Sequence, residues 1–161
     1  MTQVITLRRA GPRDADAVSA LLEACYSELY RGWYPDEAVT RAAPALARAP
    51  HALLASGRYR IAEIDGRPAA AGGWSLRPGA REGHLRLFGT HPRHLRRGAA
   101  GAILQDCLEE ARREGVKRMD CVSSLPAEPF YSAHGFATRD FALTPAPGGA
   151  MFGVAMMSRP L

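Results

Sequence analysis

The sequence predicts a mixed α/β (α+β) fold in three layers, in which helices cover both faces of a mostly antiparallel sheet. Three observations predict it. Asp65-Gly66 separates two strand-like segments, as in a tight hairpin. The segment from about Ala99 to Glu114 has the apolar spacing of an amphipathic helix. Strand-like segments flank that helix, and such a unit joins parallel strands, so we expect a mixed sheet rather than a doubly wound parallel one.

The first half of the chain is expected to contain a strand, two helical stretches and a hairpin. Asp14 is a suitable N-cap for the first helix, and Pro44 and Pro50 are expected to interrupt the second. The expected segments are a strand at Val4–Arg8, a helix after Asp14, a helical stretch at about 36–54, and hairpin strands at Tyr59–Ile64 and Ala69–Leu76. Aromatic residues crowd the join between the helices and either pack in the core or line a substrate cleft; they are Tyr26, Tyr30, Trp33 and Tyr34.

The second half is expected to alternate strands and helices within the same single domain, residues 1–161. Leu85 and Leu87 should lie on one face of their strand and Arg86 on the other, because side chains alternate along a strand. Gly115 fits the C-cap of the amphipathic helix. The expected segments are a strand at His84–Thr90, the helix at about 99–114, a strand at Val116–Val122, a short helix at Glu128–Ala133, and strands at Phe136–Leu143 and Met151–Met157.

Composition narrows the classes of function. The 161 residues are 47% hydrophobic and 23% charged, which suits a domain with a buried core and a polar surface. No run of about 18 apolar residues or leader-like N-terminus is present, so we expect no membrane partner and a cytoplasmic location. The three cysteines are widely spaced, which indicates neither a disulfide framework nor a metal site.

A net charge of +5 favours an anionic ligand. Arg93, Arg96 and Arg97 concentrate part of that charge in one loop. A nucleic acid is one candidate ligand, but the sequence has no base-reading motif and no strand on which aromatic and basic residues alternate. We therefore expect no nucleic-acid partner.

The loop that precedes the amphipathic helix carries the clearest chemical signal. It reads Arg96-Arg97-Gly98-Ala99-Ala100-Gly101. A helix N-terminus presents free backbone N–H groups, small residues let a phosphate approach them, and guanidinium groups bind phosphate oxygens. The loop lacks the lysine of a P-loop and the glycine spacing of a dinucleotide fingerprint. An ordinary tight turn remains the other interpretation of the same residues.

These residues resemble the GNAT superfamily of acetyl-CoA-dependent N-acetyltransferases. In its signature, Gln/Arg-x-x-Gly-x-Gly/Ala, Leu95 stands at the first position, Gly98 at the fourth and Ala100 at the sixth. Leu95 departs from the pattern, and Arg96 or Arg97 could replace its contact. Pro129-Phe130-Tyr131 with Gly135-Phe136 is similar to the segment after the family's fifth strand. The resemblance covers nearly the whole chain.

The resemblance implies a sheet splayed between its fourth and fifth strands, here His84–Thr90 and Val116–Val122. The pantetheine of coenzyme A would lie in that opening and its pyrophosphate on the loop. The residues implied in binding it are Phe88, Gly89, Thr90, Arg96, Arg97, Gly98, Ala99, Ala100, Gly101 and Ser123. Ser123 is equally plausible as a cap of the short helix.

The resemblance also places Tyr131 beside the cofactor sulfur. A phenol that is protonated at neutral pH can donate a proton to the departing thiolate, although packing of the ring is an alternative role. His84 is the candidate base for the amine proton because its ordinary pKa suits that task, and a structural role stays open. Further candidates for the base are Glu82, Asp120 and Glu63. An acyl-enzyme on Cys121 is disfavoured, since the sequence shows no histidine partner for it.

The function so implied is transfer of an acetyl group from acetyl-CoA to a primary amine of a small molecule or peptide, by direct attack and without a metal. The alternative is a module of the same fold that binds or senses acyl-CoA without catalysis. A homodimer is common in the family, and nothing in the sequence decides the oligomeric state. The acceptor amine cannot be read from the sequence, although the aromatic residues between the helices suit a cationic one.

Overall fold

Seven strands form one sheet in the order β1-β2-β3-β4-β5-β7-β6. The computed structural model describes residues 3–79 and 81–161. Numbered along the chain, the strands are β1 Ile5–Arg9, β2 Tyr59–Ile64, β3 Arg67–Leu76, β4 Glu82–Thr90, β5 Arg118–Ser124, β6 Ala137–Pro145 and β7 Met151–Pro160. Neighbouring strands are antiparallel except β4 and β5, which are parallel. The prediction of a mixed, mostly antiparallel sheet is confirmed.

Helices pack on both faces of this sheet. They are α1 Ala15–Leu29, α2 Asp36–Leu46, α3 His51–Ala55, α4 Ala99–Arg113 and α5 Glu128–Ala133. On one face, called the α4 face, Leu104 and Leu108 are buried in one cluster with Trp74 and Met119. On the other, called the α1 face, Leu22 of α1 is buried in a cluster with strand residues. The predicted three layers follow from these two separate apolar clusters.

One expectation about the first helices was wrong, because α2 continues through Pro44 to Leu46 and only the segment before Pro50 breaks the helix. Asp14 is the N-cap residue of α1, as predicted, but its carboxylate makes no capping bond to that helix. It accepts the N–H of Gly11 at 2.8 Å and lies 3.0 Å from the Arg8 guanidinium. These contacts of the Asp14 carboxylate with Gly11 and Arg8 fix the turn between β1 and α1.

A β-bulge interrupts the regular alternation of β4. Arg86 pairs with Gly73 and Gly89 with Ala71, so β4 contains one residue more than β3 over this stretch. Leu87 has a left-handed φ of 50°. The expectation that Leu85 and Leu87 share a face is wrong, because Leu85 belongs to the α4-face cluster and Leu87 packs against the α1-face cluster.

The sheet opens between β4 and β5. Their pairing covers three positions and ends where His84 lies opposite Asp120. Beyond that point β4 continues to Thr90 beside β3, and β5 continues to Ser124 beside β7. The splay predicted between the fourth and fifth strands is therefore present, and each of its arms is paired on its outer side.

The second half of α4 is anchored to the sheet by a buried ionic cluster. The Arg60 side chain is 2% exposed and lies 2.6 Å from the Asp106 carboxylate and 3.0 Å from that of Glu110. Glu110 also accepts the Trp74 indole N–H at 2.8 Å and a bond from Arg9 at 2.6 Å. Burial alone would raise the pKa of Glu110, but the bonds from Arg9, Trp74 and Arg60 outweigh it and hold this pKa at about 2.

We expect Glu110→Gln to lower the free energy of unfolding by roughly 2 kcal/mol at pH 7, since it leaves the buried Arg60 charge poorly paired. A depressed carboxyl pKa stabilises the fold fully above the ordinary value of 4.5 and is lost as the pH falls toward about 2. The difference between Glu110→Gln and the natural protein should therefore shrink from pH 4.5 downward. Urea unfolding at several pH values measures it. Glu109→Gln, at an exposed neighbouring position, is the control and should change little.

Candidate active site

A cavity of about 850 Å³ lies along the splay, beside the N-terminus of α4. Its wall comes from the last turns of α1, the end of β4, the loop into α4 with the first turns of that helix, and the segment from Pro126 to His134. Ten of the twelve residues singled out from the sequence line it: Phe88, Gly89, Thr90, Arg96, Arg97, Gly98, Ala99, Ala100, Gly101 and Tyr131. The remaining two, His84 and Ser123, do not.

The loop before α4 turns sharply because two of its residues adopt left-handed backbone. Gly98 is the N-cap, with φ 85°, and Arg96 has φ 60°. In the described part of the chain, no hydrogen bond is made by the N–H groups of Ala99, Ala100 and Gly101. These groups, the positive end of the helix dipole and the exposed guanidinium groups of Arg96 and Arg97 face a cavity, which is the arrangement that binds a phosphate.

Close packing brings α5 against the first turn of α4. A Cβ at Gly101 would lie 3.3 Å from the His134 ring, so the absence of a side chain there makes room for the histidine. The Gln105 amide lies 3.3 Å from His134 Nδ1, and the Phe130 ring lies 4.9 Å from the same imidazole. His134 itself lines the cavity. Gln105, four residues after Gly101 on the same helix face, was missed although that spacing could have indicated it.

Tyr131 is buried in the cavity wall. Its ring meets Phe88 and Phe136 edge-on, with centroids 6.2 and 5.9 Å away. Burial raises the pKa of Tyr131 well above 10, so the phenol keeps its proton throughout the neutral range. Burial also raises the pKa of the adjacent Cys121 thiol to about 12. A thiol of that kind is a poor nucleophile at neutral pH.

His84 lies where β4 and β5 separate, on the α1 face of the sheet. It is half-buried, and its Nδ1 has no hydrogen-bond partner in the described residues. Burial lowers the pKa of His84, the charges of Arg86 and Arg77 lower it further, and Asp120 partly opposes them. The imidazole is therefore neutral at pH 7, as a base must be.

The other candidates for the base are engaged by arginine. Carboxylate–guanidinium distances are 3.1 Å for Glu82 and Arg118, 3.0 Å for Asp120 and Arg118, and 3.4 Å for Glu63 and Arg8. Ser123 is buried, and its hydroxyl donates to the Ser124 carbonyl at 2.7 Å. Of the polar groups proposed near the splay, His84 is thus the one that combines a neutral basic atom with the lack of a partner.

Three tyrosines from the end of α1 and the turn after it connect the two arms of the splay. The Tyr26 hydroxyl donates to the Phe88 carbonyl on β4 at 3.4 Å. The Tyr34 hydroxyl donates to the Gly153 carbonyl on β7 at 2.7 Å and accepts the Leu125 N–H at 3.0 Å. Between them the Tyr30 ring lies 5.2 Å from each of the other two rings. We call Tyr26, Tyr30 and Tyr34 the tyrosine brace. Of the two roles considered for these aromatics, packing is observed. None of the three tyrosines lines the cavity, so the lining of a substrate cleft stays a prediction.

The comparisons with known proteins agree with this geometry. A family model described as the acetyltransferase (GNAT) family matches residues 16–136. The chain is similar in structure to a GCN5-related N-acetyltransferase from Rhodopseudomonas palustris, with TM-score 0.84, 21% identity, and 100% and 99% of the two chains covered. It is similar to the PaiA N-acetyltransferase of Thermoplasma acidophilum in complex with coenzyme A, with TM-score 0.74, 13% identity, and 98% and 99% covered.

A third similar structure is the ribosomal-protein-S18-alanine N-acetyltransferase of Escherichia coli, with TM-score 0.67, 15% identity, and 98% and 94% covered. At sequence identities this low, the structural similarity shows a shared fold and no more. No curated protein matches the chain in sequence. None of the helices within residues 3–79 and 81–161 has both the length and the apolarity needed to cross a lipid bilayer.

We expect Tyr34→Phe to lower the free energy of unfolding by about 1–3 kcal/mol, because it leaves a backbone N–H and a carbonyl unpaired near the core. It should also weaken binding of acetyl-CoA, since the arms of the splay lose one of their connections. Urea unfolding and calorimetric titration measure the two effects. Trp33→Phe, at a side chain that is 57% exposed, serves as the control. Equal stability of Tyr34→Phe and Trp33→Phe would contradict the bracing role.

Proposed function

Because the chain belongs to the GNAT acetyltransferase family, we propose that it transfers an acetyl group from acetyl-CoA to a primary amine. The observation that supports this most is the open N-terminus of α4, whose free N–H groups face a cavity that follows the splay. A cavity of about 850 Å³ suits an extended ligand of the size of the pantetheine and pyrophosphate parts of coenzyme A.

In this proposal the loop and the free edge of β4 hold the cofactor. Backbone N–H groups from Gly98 to Gly101 bind the pyrophosphate, with charge supplied by Arg96 and Arg97. β4 beyond His84 is paired with β3 alone, so the backbone of residues 88–90 can bond the pantetheine amides. His134 and Gln105 form the part of the wall nearest the first turn of α4. Ser123, whose hydroxyl is already bonded, is assigned no cofactor contact.

The proposed reaction needs a proton acceptor and a proton donor, and they lie on opposite faces of the sheet. A free alkylammonium has a pKa of about 10, so the amine must lose a proton before it attacks. His84 accepts that proton, directly or through water. A C–N bond then forms at the thioester carbon, backbone N–H groups on β4 stabilise the oxyanion, and the C–S bond breaks. Tyr131 donates its proton to the departing sulfur from the α4 face, and the second proton that the acetylated nitrogen releases restores the Tyr131 phenol.

The phosphate loop is tested by comparing two glycines at opposite ends of α4. Gly98 has φ 85° and Gly115 has φ 83°, and a Cβ at either would meet no close neighbour. Alanine at each position therefore imposes a similar backbone strain, of about 1–2 kcal/mol. We expect Gly98→Ala to weaken acetyl-CoA binding about tenfold or more in a calorimetric titration, and Gly115→Ala to leave it within about twofold. Equal losses in both variants would mean that the loop does not hold the cofactor.

The proposed proton transfers are tested by steady-state kinetics of thiol release with an accepted amine. We expect Tyr131→Phe to lower kcat about 10- to 100-fold with little change in acetyl-CoA affinity. The kcat/KM of the natural protein should fall as the pH falls through the pKa of His84, because a protonated imidazole cannot accept the amine proton. That pKa lies below its ordinary value of about 6.5. His84→Gln should lower kcat and abolish that acidic limb. An unchanged kcat for Tyr131→Phe, or an unchanged pH profile for His84→Gln, would remove the residue from the mechanism.

Two features of the site favour a second candidate function, because an active enzyme of this kind would not require them. Leu95, which replaces a polar residue of the family signature, is 55% exposed at the cavity, and His84 lies outside the cavity wall. A module that binds acyl-CoA without catalysis would accommodate both. Acetyl-CoA binding in the calorimeter, with no thiol release for any member of a broad amine panel, would favour this module over the enzyme.

A further inference from the structure

One charged side chain at the splay has no role in the mechanism above. Arg86 lies two residues beyond His84, on the arm of β4 that has left β5. It pairs with Gly73 of β3, and its Nη1 donates to the Ser75 hydroxyl at 3.0 Å. Because Leu85 faces α4, the neighbouring Arg86 faces the other way and lies on the α1 face, next to the candidate base.

The charge of Arg86 is not neutralised by the described residues. The side chain is half-buried, yet no carboxylate in the described ranges lies within 4.0 Å of it. By contrast, Arg8 on β1 and Arg60 on β2 are both paired with carboxylates. Asp120, the nearest acidic group across the opening, is taken by Arg118 and Arg77 at 3.0 and 3.6 Å. A partly desolvated guanidinium without a counter-charge favours an anionic ligand.

The cofactor phosphates do not supply that anion. The cavity that contains the phosphate loop has no contribution from Arg86 to its wall. Arg86 lies on the face of the sheet from which an acceptor amine would reach His84. The ligand that Arg86 can bind is therefore the acceptor.

The surface next to Arg86 is largely apolar. On the β5 arm Val122 lies two residues beyond Asp120, as Arg86 lies two beyond His84, and it pairs with Met156 of β7. These two side chains are 44% and 38% exposed. The half-buried Tyr30 ring of the tyrosine brace lies toward the open end of the same face. Apart from Asp120, whose charge Arg118 and Arg77 already pair, this surface offers the Arg86 cation beside uncharged side chains.

We propose that the acceptor is a primary amine that carries a carboxylate and an apolar side chain, as an apolar α-amino acid does, and that Arg86 binds the carboxylate. The inference rests on the proposed acetyl transfer. His84 and Arg86 are about 7 Å apart along one strand face, so a carboxylate at Arg86 leaves the amine of a small amino acid near the base. A cationic acceptor, which the aromatic residues alone suggested, would be repelled by Arg86.

The test compares acceptors that differ in the carboxylate and little else. Thiol release from acetyl-CoA is measured with leucine, leucinamide and 3-methylbutylamine, and with the corresponding phenylalanine set. We expect kcat/KM to be at least about tenfold higher for the amino acids than for their amides and amines. The amide is a stringent comparison, because its amine has the lower pKa and is more often neutral at pH 7.

Variants then assign the preference to Arg86. At pH 8, where His84 is neutral with or without the Arg86 charge, Arg86→Gln should raise KM for leucine about 10- to 100-fold, with a smaller change in kcat. It should change kcat/KM for 3-methylbutylamine by no more than about twofold. Arg86→Lys, which keeps the charge, should restore part of the preference. Arg112→Gln removes one charge from an exposed position of α4 and is the control. Calorimetric titration of leucine onto the protein with coenzyme A bound gives a readout that does not require turnover.

The outcomes separate this inference from the function on which it rests. Equal use of amino acids and their amides, or a loss in Arg86→Gln that is the same for every acceptor, would overturn the role of Arg86 and leave acetyl transfer standing. Acetyl-CoA binding without thiol release for any acceptor in either set or in a broad amine panel would overturn both. A carboxylate preference that survives Arg86→Gln would assign the anion site to other residues.

Discussion

The end of hydrogen bonding between β4 and β5 is the constraint on which the site depends. Two parallel strands that stop pairing expose backbone groups along both inner edges, and such groups are costly when they are shielded from water without partners. The protein satisfies two of the exposed carbonyls with phenols: Tyr59 donates to Leu87 at 2.7 Å and Tyr26 to Phe88 at 3.4 Å. The bulge at Leu87 turns the strand at the same place. What remains available on the inner edges is the surface to which we propose that the cofactor binds.

A second constraint divides α4 into an anchored half and an accessible half. The Arg60 cluster holds the C-terminal part against β2 and β3, with Asp106 and Glu110 on the same side of the helix. The N-terminal turn carries no comparable side chain, and small residues leave its backbone open to the cavity. A helix end can offer its N–H groups to a ligand in a fixed direction only if the rest of the helix cannot rotate. The buried ion pairs thus fix the direction of the proposed phosphate loop at the other end of α4.

The sequence predicts most of the elements because their signals are local. Hairpin turn, amphipathic spacing and the glycine at the head of α4 each depend on a few neighbouring residues, and the structure follows them closely. The bulge at Leu87 could not be predicted, since leucine rarely adopts a positive φ and the extra residue is defined by the register with β3. Asp14 was correctly predicted as the N-cap residue of α1, but the lack of a capping bond could not be predicted, because it depends on whether Arg8 competes for the carboxylate. The surroundings of His134 and Arg86 likewise required the fold, because their neighbours come from α4 and β3.

The two bonds of Tyr34 use different parts of one oxygen. The hydroxyl proton goes to the Gly153 carbonyl, and a lone pair receives the Leu125 N–H. The orientation of that O–H is therefore fixed, and loss of its proton would exchange a bond for a repulsion between two oxygens. Tyr34 is in this way withdrawn from acid–base chemistry, although it lies near the opening and burial raises its pKa as it does for Tyr131. Two phenols near one opening, both with raised pKa values, can thus differ in whether the hydroxyl is free to react, which is decided by the hydrogen bonds that each oxygen already makes.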